Sequence, residues 1–419
     1  MSKSIALSFY TVKSTYNVNC VVFFEEIMYH VTTFSMNVST AAKLKAFKED
    51  MDEKTASMLG YPINTKNDYS SLYQFLDYSL INLGDPFIPS SWRVNSEDFE
   101  VEALKFFGNL YKMPKDDFWG YLTSGGTESN LYGIFVGREL YPNGLLYFSK
   151  DTHYSISKIA RLLRMKPVLV ESLPNGEIDY LDLEKKIIEN KHLPVILNLN
   201  LGTTMKGATD NVDRVVDILK KNNITQHYIH CDAALFGMIL PFLKGAPQAD
   251  FRQPIDSLAI SGHKFIGTHM PVGIALARKK SVKKIETPIE YIGSVDSTIT
   301  GCRNGQTPLF LWYAIQTRGM KGFAKEARMC VENAEYLDKK LKEIHWPSHL
   351  NKYSNIVYFK KPNCSIAKKW QLAVSDKFAH ILVMQPVTKE RIDAFVADLH
   401  TNVGSFPENA PPPTRANPP

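Results

Sequence analysis

A chain of 419 residues, 44% hydrophobic and 22% charged, can bury a large core and a sizeable active site, which excludes a disordered or fibrous protein. Its net charge of +6 comes from Lys and Arg dispersed along the chain, with Lys279-Lys280 and Lys283-Lys284 the densest group; this argues against nucleic-acid binding and suits an anionic small molecule. The five cysteines, Cys20, Cys231, Cys302, Cys330 and Cys364, are widely spaced, without C-x-x-C pairs or zinc-type His spacing, so a reducing, cytoplasmic setting without metal is expected.

Residues 1–36 have no clear period and read as a leader without chemistry. The apolar run Val18 to Phe24 has Asn17, Asn19, Glu25 and Glu26 in or beside it, too close for a membrane span, and no basic start or cleavage site marks a signal peptide. Residues 37–115 read as a helical layer. Helices are expected over Ser39 to Leu59, Ser71 to Leu83 and Glu97 to Met113, each with apolar residues at three-to-four spacing, and Gly60-Tyr61-Pro62 and Gly84-Asp85-Pro86 interrupt them.

Residues 116–290 form the expected main α/β domain. Strands at Leu145 to Phe148, Pro167 to Val170, Val195 to Leu199, Tyr228 to Cys231, Ser257 to Ile260 and Gly273 to Ala277 alternate with helices at Thr127 to Leu140, His153 to Leu163, Tyr180 to Asn190 and Asn211 to Asn222. That alternation calls for a mostly parallel sheet covered on both faces. Residues 291–404 change pattern: helices at Thr307 to Thr317 and Gly322 to Ile344, strands at Asn355 to Phe359 and Ala379 to Met384, and a closing helix at Thr388 to His400 suggest a small C-terminal α/β domain. The Pro-rich tail, 405–419, reads as disordered.

Four motifs fall at expected strand ends, where open α/β sheets bind ligands. Gly125-Gly126-Thr127-Glu128-Ser129-Asn130 opens a helix, so its N–H groups and dipole offer an anion site, although a plain turn with Thr127 as N-cap would look the same. It fits neither the P-loop nor the dinucleotide fingerprint. Asp151-Thr-His153 puts an imidazole where it can lie on an aromatic ring and exchange protons near neutral pH. His230-Cys-Asp232-Ala-Ala234 brings an aspartate out of an apolar strand; this is costly unless the carboxylate meets a cation or strong donor such as a protonated pyridine nitrogen, and the alanines let a flat ring approach. Ser261-Gly-His263-Lys264 exposes a lysine that partial burial would turn into a nucleophile toward carbonyls. Gly202-Thr203-Thr204 adds a hydroxyl at the same edge. An anion cradle, a ring-stacking His, a buried Asp and a Schiff-base Lys together describe a phosphorylated pyridine aldehyde, and pyridoxal 5′-phosphate (PLP) meets each demand.

The stretches Thr-Ser-Gly-Gly-Thr-Glu-Ser-Asn, Asp-Thr-His-Tyr-Ser, Gly-Thr-Thr-Met-Lys-Gly-Ala, His-Cys-Asp-Ala-Ala-Leu-Phe-Gly and Ser-Gly-His-Lys-Phe-Ile-Gly resemble the group II PLP-dependent amino-acid decarboxylases, in the branch of the histidine decarboxylases and plant serine decarboxylase-like proteins. The similarity runs from about Gly60 to Leu399. It implies the aspartate-aminotransferase-like fold (fold type I PLP-dependent transferase), a homodimer acting on an amino acid, and catalysis by Lys264, His153 and Asp232. Lys264 would carry the cofactor, Asp232 pair with its pyridine nitrogen, and His153 and Ala234 face its ring. Gly126, Thr127, Ser257 and His263 match phosphate-contacting positions and Thr204 one near the ring hydroxyl. His153, Tyr61 and Asn64 match or border the substrate pocket. Histidine is the first expected substrate and serine the alternative, with another PLP lyase or aminotransferase, or a non-catalytic relative, as further readings. Gln306 and Cys302 depart from the pattern of the relatives.

Overall fold

The computed structural model describes residues 40–247 and 249–401; the expected leader and Pro-rich tail lie outside them. The chain divides into two compact units, Met1–Ser57 and Met58–Pro419. In the first, the described part is the helix Thr40–Ser57, close to the expected Ser39 to Leu59. None of its residues is buried, and Lys48–Asp52 and Asp50–Lys54 pairs one turn apart run along its surface. The apolar face expected from Leu44 and Phe47 is therefore exposed, at 64% and 60%.

The second unit is organised by a seven-stranded sheet. Its strands are β2 (Phe118–Thr123), β3 (Leu145–Ser149), β4 (Pro167–Val170), β5 (Val195–Asn200), β6 (His227–Asp232), β7 (Ser257–Ser261) and β8 (Gly273–Arg278), numbered after a short β1 (Ile81–Leu83) outside it. Their order is β2-β8-β7-β6-β5-β3-β4. Pairings are parallel from β7 through β4, whereas β8 runs antiparallel to both its neighbours. Strands β3, β5 and β7 are buried at every position, as near-continuous apolar runs require when helices cover both faces. The crossover helices Gly126–Leu140, Ser155–Leu162, Tyr180–Glu189 and Val212–Lys221 agree with the expected ones to within a residue or two. Asp179 and Asn211 cap two of them, accepting N–H bonds from Leu181 and Arg214.

The segment expected as a helix over Ser71 to Leu83 departs from that reading. It is a 3₁₀ helix, Ser70–Asp77, followed by β1, which pairs antiparallel with Cys302–Asn304. The apolar spacing does not register that Asn82 is fully buried: its Nδ2 donates to Glu100 at 2.6 Å and its Oδ1 accepts from the Ser96 N–H at 2.9 Å. Glu100 also accepts from the Leu122 N–H and pairs with Arg303 at 3.2 Å, with the two side chains 1% and 4% exposed. The two helices expected after residue 306 are both present within Gln306–Glu343 and meet at Gly319, whose backbone (φ 56°, ψ −174°) is not helical. Its second half packs with the helix Lys389–Thr401 and a four-stranded antiparallel sheet, through a core that includes Leu337, Leu341, Phe359, Trp370 and Phe395.

Replacing Arg303 by Met should leave the Glu100 carboxylate buried without its cation and lower stability by about 3–5 kcal/mol. Adding Glu100→Gln, which removes the charge and keeps an acceptor oxygen for the buried Asn82 or Leu122 donor, should restore part of that loss. Denaturant-unfolding midpoints of the single and double variants provide the check.

Candidate active site

The C-terminal ends of the parallel strands open onto a cavity of about 400 Å³. Gly126, Thr127 and Asn130 enter from one helix start, His153 follows β3, and Asn200 ends β5. Thr203 to Met205 form the next turn, Asp232 ends β6 with Ala234 just beyond it, and Ser261 ends β7 with His263 and Lys264 following. The opposite wall comes from Gly60 to Pro62 and from Ile356, Ala373, His380 and Leu382.

Lys264 is half-buried in the cavity wall, and its amine makes no hydrogen bond or ion pair with any described residue. Burial pushes its pKa below the usual lysine range and the nearby Asp232 charge opposes the shift, so a larger share of the amine is neutral and nucleophilic. Burial also lowers His153 and His263. His153 Nδ1 accepts from the Ser155 N–H at 3.3 Å and lies 2.8 Å from the Ser155 hydroxyl, which leaves Nε2–H as the free donor. His263 Nδ1 lies 3.0 Å from the Val272 carbonyl.

Asp232 ends β6 in a set of directional bonds. Its Oδ2 accepts from Asn130 Nδ2 at 2.8 Å and its Oδ1 from the Ala234 N–H at 3.1 Å. With the Asn130 amide turned toward the carboxylate, its Oδ1 takes the Nε2–H of His230 at 3.0 Å; His230 Nδ1 is then the acceptor for the Ser257 hydroxyl at 2.8 Å. Desolvation holds His230 neutral, with its pKa pushed down to about 4.

Most of the residues singled out from sequence meet at the cavity: Tyr61, Gly126, Thr127, His153, Thr204, Asp232, Ala234, His263 and Lys264. Two do not. Ser257 begins β7 rather than ending it, so it lies at the far end of the strand from Lys264 with its hydroxyl committed to His230; Ser261 takes the cavity end. Asn64 is buried and donates from Nδ2 to the Phe265 carbonyl at 3.0 Å, so its amide is committed to main chain behind the cavity. Gln306 also stays outside, its side chain donating to the Tyr78 carbonyl. Sequence reasoning missed Asn130, Asn200, Ser261 and His380. Asn130 and Ser261 stood inside quoted motifs, whereas Asn200 and His380 carried no local signal.

The cavity fits a phosphorylated ring compound. Ser261 Oγ is buried without a hydrogen-bond partner, and the first N–H groups of the Gly126–Leu140 helix open beside it. A Cβ at Gly126 would stand 2.4 Å from that oxygen, filling the space an anion needs. Sheet order, strand-end site and a half-buried lysine in one cavity with a bonded aspartate define a PLP enzyme of fold type I.

The family model of the pyridoxal-dependent decarboxylase conserved domain matches residues 95–356. Serine decarboxylase 2 of Oryza sativa subsp. japonica is 46% identical over 358 residues, 85% of this chain and 77% of that one. A histidine decarboxylase of Solanum lycopersicum is 44% identical over 361 residues, 85% and 87% of the two chains. The solved L-methionine decarboxylase of Streptomyces sp. 590 superposes with a TM-score of 0.80 at 24% identity, over 87% of this chain and 95% of that one, which speaks to the fold. The chain belongs to the pyridoxal-dependent decarboxylases and is a PLP-dependent amino-acid decarboxylase.

The depressed His230 pKa has a thermodynamic consequence. Between pH 6.5 and about 4 the unfolded chain binds a proton at His230 that the folded chain refuses; its contribution is complete above pH 6.5 and lost as pH falls, by up to about 3 kcal/mol. Buried Asp210 and Asp256, raised to about 7 and about 6, slope the opposite way. Comparing the pH dependence of unfolding for the wild type and His230→Gln isolates the His230 share, and the variant should have the flatter acid limb.

Proposed function

We propose that this chain removes CO2 from serine, with Lys264 and Asp232 as the central pair. Bound PLP supplies an electron sink for the pair left on Cα as CO2 departs. Lys264, its amine made partly neutral by burial, would hold the cofactor and yield it to the amine of the substrate. Asp232, aimed by Asn130 and the Ala234 N–H, would keep a proton on the pyridine nitrogen. His153 would cover one ring face with Ala234 on the other, and its free Nε2–H can pass a proton. Gly126, Thr127, His263 and Ser261 would receive the phosphate, Thr204 would stand near the ring hydroxyl, and Tyr61 would border the substrate.

One observation favours loss of CO2 over amine transfer: among the described residues lining the cavity there is no arginine, and Lys264 is the one cation apart from the histidines. A substrate carboxylate in this cavity would meet no arginine among the described lining residues, a poorly compensated ground state that departure of CO2 relieves. The serine assignment leans on the rice relative. The tomato relative favours histidine as the second reading. A homodimer belongs to the same proposal, supported by the exposed Ile88, Trp92 and Tyr291 on segments that Ser91 ties together through the Ile292 carbonyl.

Lys264→Ala should abolish turnover, and borohydride reduction of the wild type followed by peptide mapping should mark Lys264; a mark on another lysine would overturn its role. Measuring CO2 release across the standard amino acids tests the substrate. A kcat/KM for serine at least about ten-fold above that for histidine is expected, equivalent to about 1.4 kcal/mol, and the reverse order would make histidine the substrate.

A further inference from the structure

Strand β7 ends at Ser261, Lys264 lies in the turn that follows, and the next residues, Phe265 and Ile266, are fully buried. Buried carbonyls need donors. In this loop they come from side chains far away in sequence. The Phe265 carbonyl accepts from Asn64 Nδ2 and from Gln385 Nε2, each at 3.0 Å. The Ile266 carbonyl accepts from Asn67 Nδ2 at 2.8 Å and Arg318 Nη2 at 2.7 Å. Asn67 and the Tyr69 hydroxyl hold the Gly267 carbonyl at 2.9 and 3.2 Å.

Two of these donors are themselves linked. Gln385 Nε2 also reaches Glu326 Oε2 at 2.8 Å, and Arg318 Nη1 reaches the same oxygen at 3.3 Å. A closed ring therefore runs from one carbonyl through Gln385, Glu326 and Arg318 to the next. Gln385 follows the last strand of the small sheet, and Glu326 and Arg318 flank the Gly319 break in the long helix. On the other side, Gly267 (φ +76°) lets residues 64–67 come close: a Cβ there would lie 2.6 Å from both the Asn64 carbonyl and Asn67 Nδ2.

We propose that Gln385 and Asn64 are positioning residues for Lys264: converging on the Phe265 carbonyl from opposite sides, they fix the backbone directly after the lysine and thereby the place of its amine. Both carbonyl lone pairs are used, so neither donor can be replaced by the other without a shift of the loop. The proposal rests on Lys264 carrying the cofactor.

The test uses the full-chain holoenzyme with Gln385→Met, which keeps the side-chain length and removes the donor, and Asn64→Ala. Without substrate, the absorption band of the lysine–cofactor linkage is titrated with pH; with substrate, kcat and KM are measured. Asp232, His153 and His263, the charged or titratable groups that bear on Lys264, are unchanged in both variants; Gln385→Met also takes a donor from Glu326, whereas Asn64→Ala leaves the Arg318–Glu326 pair untouched. A midpoint that moves in both variants therefore reports the loop. A freed loop admits water to the amine, so each variant should raise the midpoint by about half a pH unit or more. Each should also lower kcat about ten-fold with little change in KM. The double variant should fall short of the sum of the two, because both donors serve one carbonyl. Gln385→Glu should approach the wild type only at low pH, where the protonated acid can donate. Lower thermal stability with an unmoved midpoint and kcat would reduce both residues to structural parts and overturn the proposal. If Gln385→Met does not fold, Asn64→Ala applies the same test from the other side. Borohydride labelling of the wild type separates a failure here from a failure of the Lys264 reading, since a mark on Lys264 leaves only the positioning claim at stake.

Discussion

The carboxylate of Asp232 ends a buried strand, where a charge costs several kcal/mol unless donors meet it. The donors found there dictate much of the surrounding structure. The helix Gly126–Leu140 must begin at the cavity so that Asn130, one turn in, can reach Asp232, and the same start turns its unpaired N–H groups toward the cavity. Asn130 is oriented by His230 and His230 by Ser257, so the bond series passes from the end of β6 to the beginning of β7. Each polar atom in the series then has a single workable role as donor or acceptor, which makes the chain of bonds rigid rather than merely satisfied.

Burial acts in one direction on the basic groups of the site. Lys264, His153, His263 and His380 are all pushed toward their neutral forms, and His230 beneath the site is neutral as well. An anion entering this cavity meets mainly N–H dipoles and hydroxyls rather than fixed cations. Such donors are aimed by the backbone and need no reorganisation as charge moves. The neutral imidazole of His380 has one N–H for two main-chain oxygens, the carbonyls of Gly60 at 3.2 Å and Met205 at 3.3 Å, so only one of these can be satisfied at a time.

Much of this site was legible in the sequence because a parallel sheet delivers the ends of its strands to one edge. Locating the strands located Lys264, Asp232 and His153 together. Legibility failed wherever a side chain serves a distant segment. Ser257 and Ser261 bracket one five-residue strand, and only the direction of β7 decides which of them sees the cavity. Asn64 sits beside the pocket-bordering Tyr61 in sequence, yet its amide is used by a carbonyl 201 residues away. Periodicity read Ile81–Leu83 as helix because the partner that makes it a strand lies at residues 302–304. The Gly319 break was visible as a gap between two helical patterns, since glycine and a loss of apolar spacing coincide there.

Strand β8 alone runs against the other six strands of the sheet, and this has a topological result for the lysine. In the parallel part of the sheet each strand reaches the next by a long crossover, through an α-helix in every case but β6 to β7, a path with room to give. Between β7 and β8 the chain instead doubles straight back, from Ser261 to its ladder partner Gly273, so both stems of the Gly262–Val272 loop are zipped to each other. A short span between fixed stems has little closure entropy to recover by opening. Lys264 thus lies three residues past the end of β7, beside one stem of this loop, and the ladder amides of β7 and β8 that hold the stems should be among the last in the sheet to exchange their hydrogens with solvent.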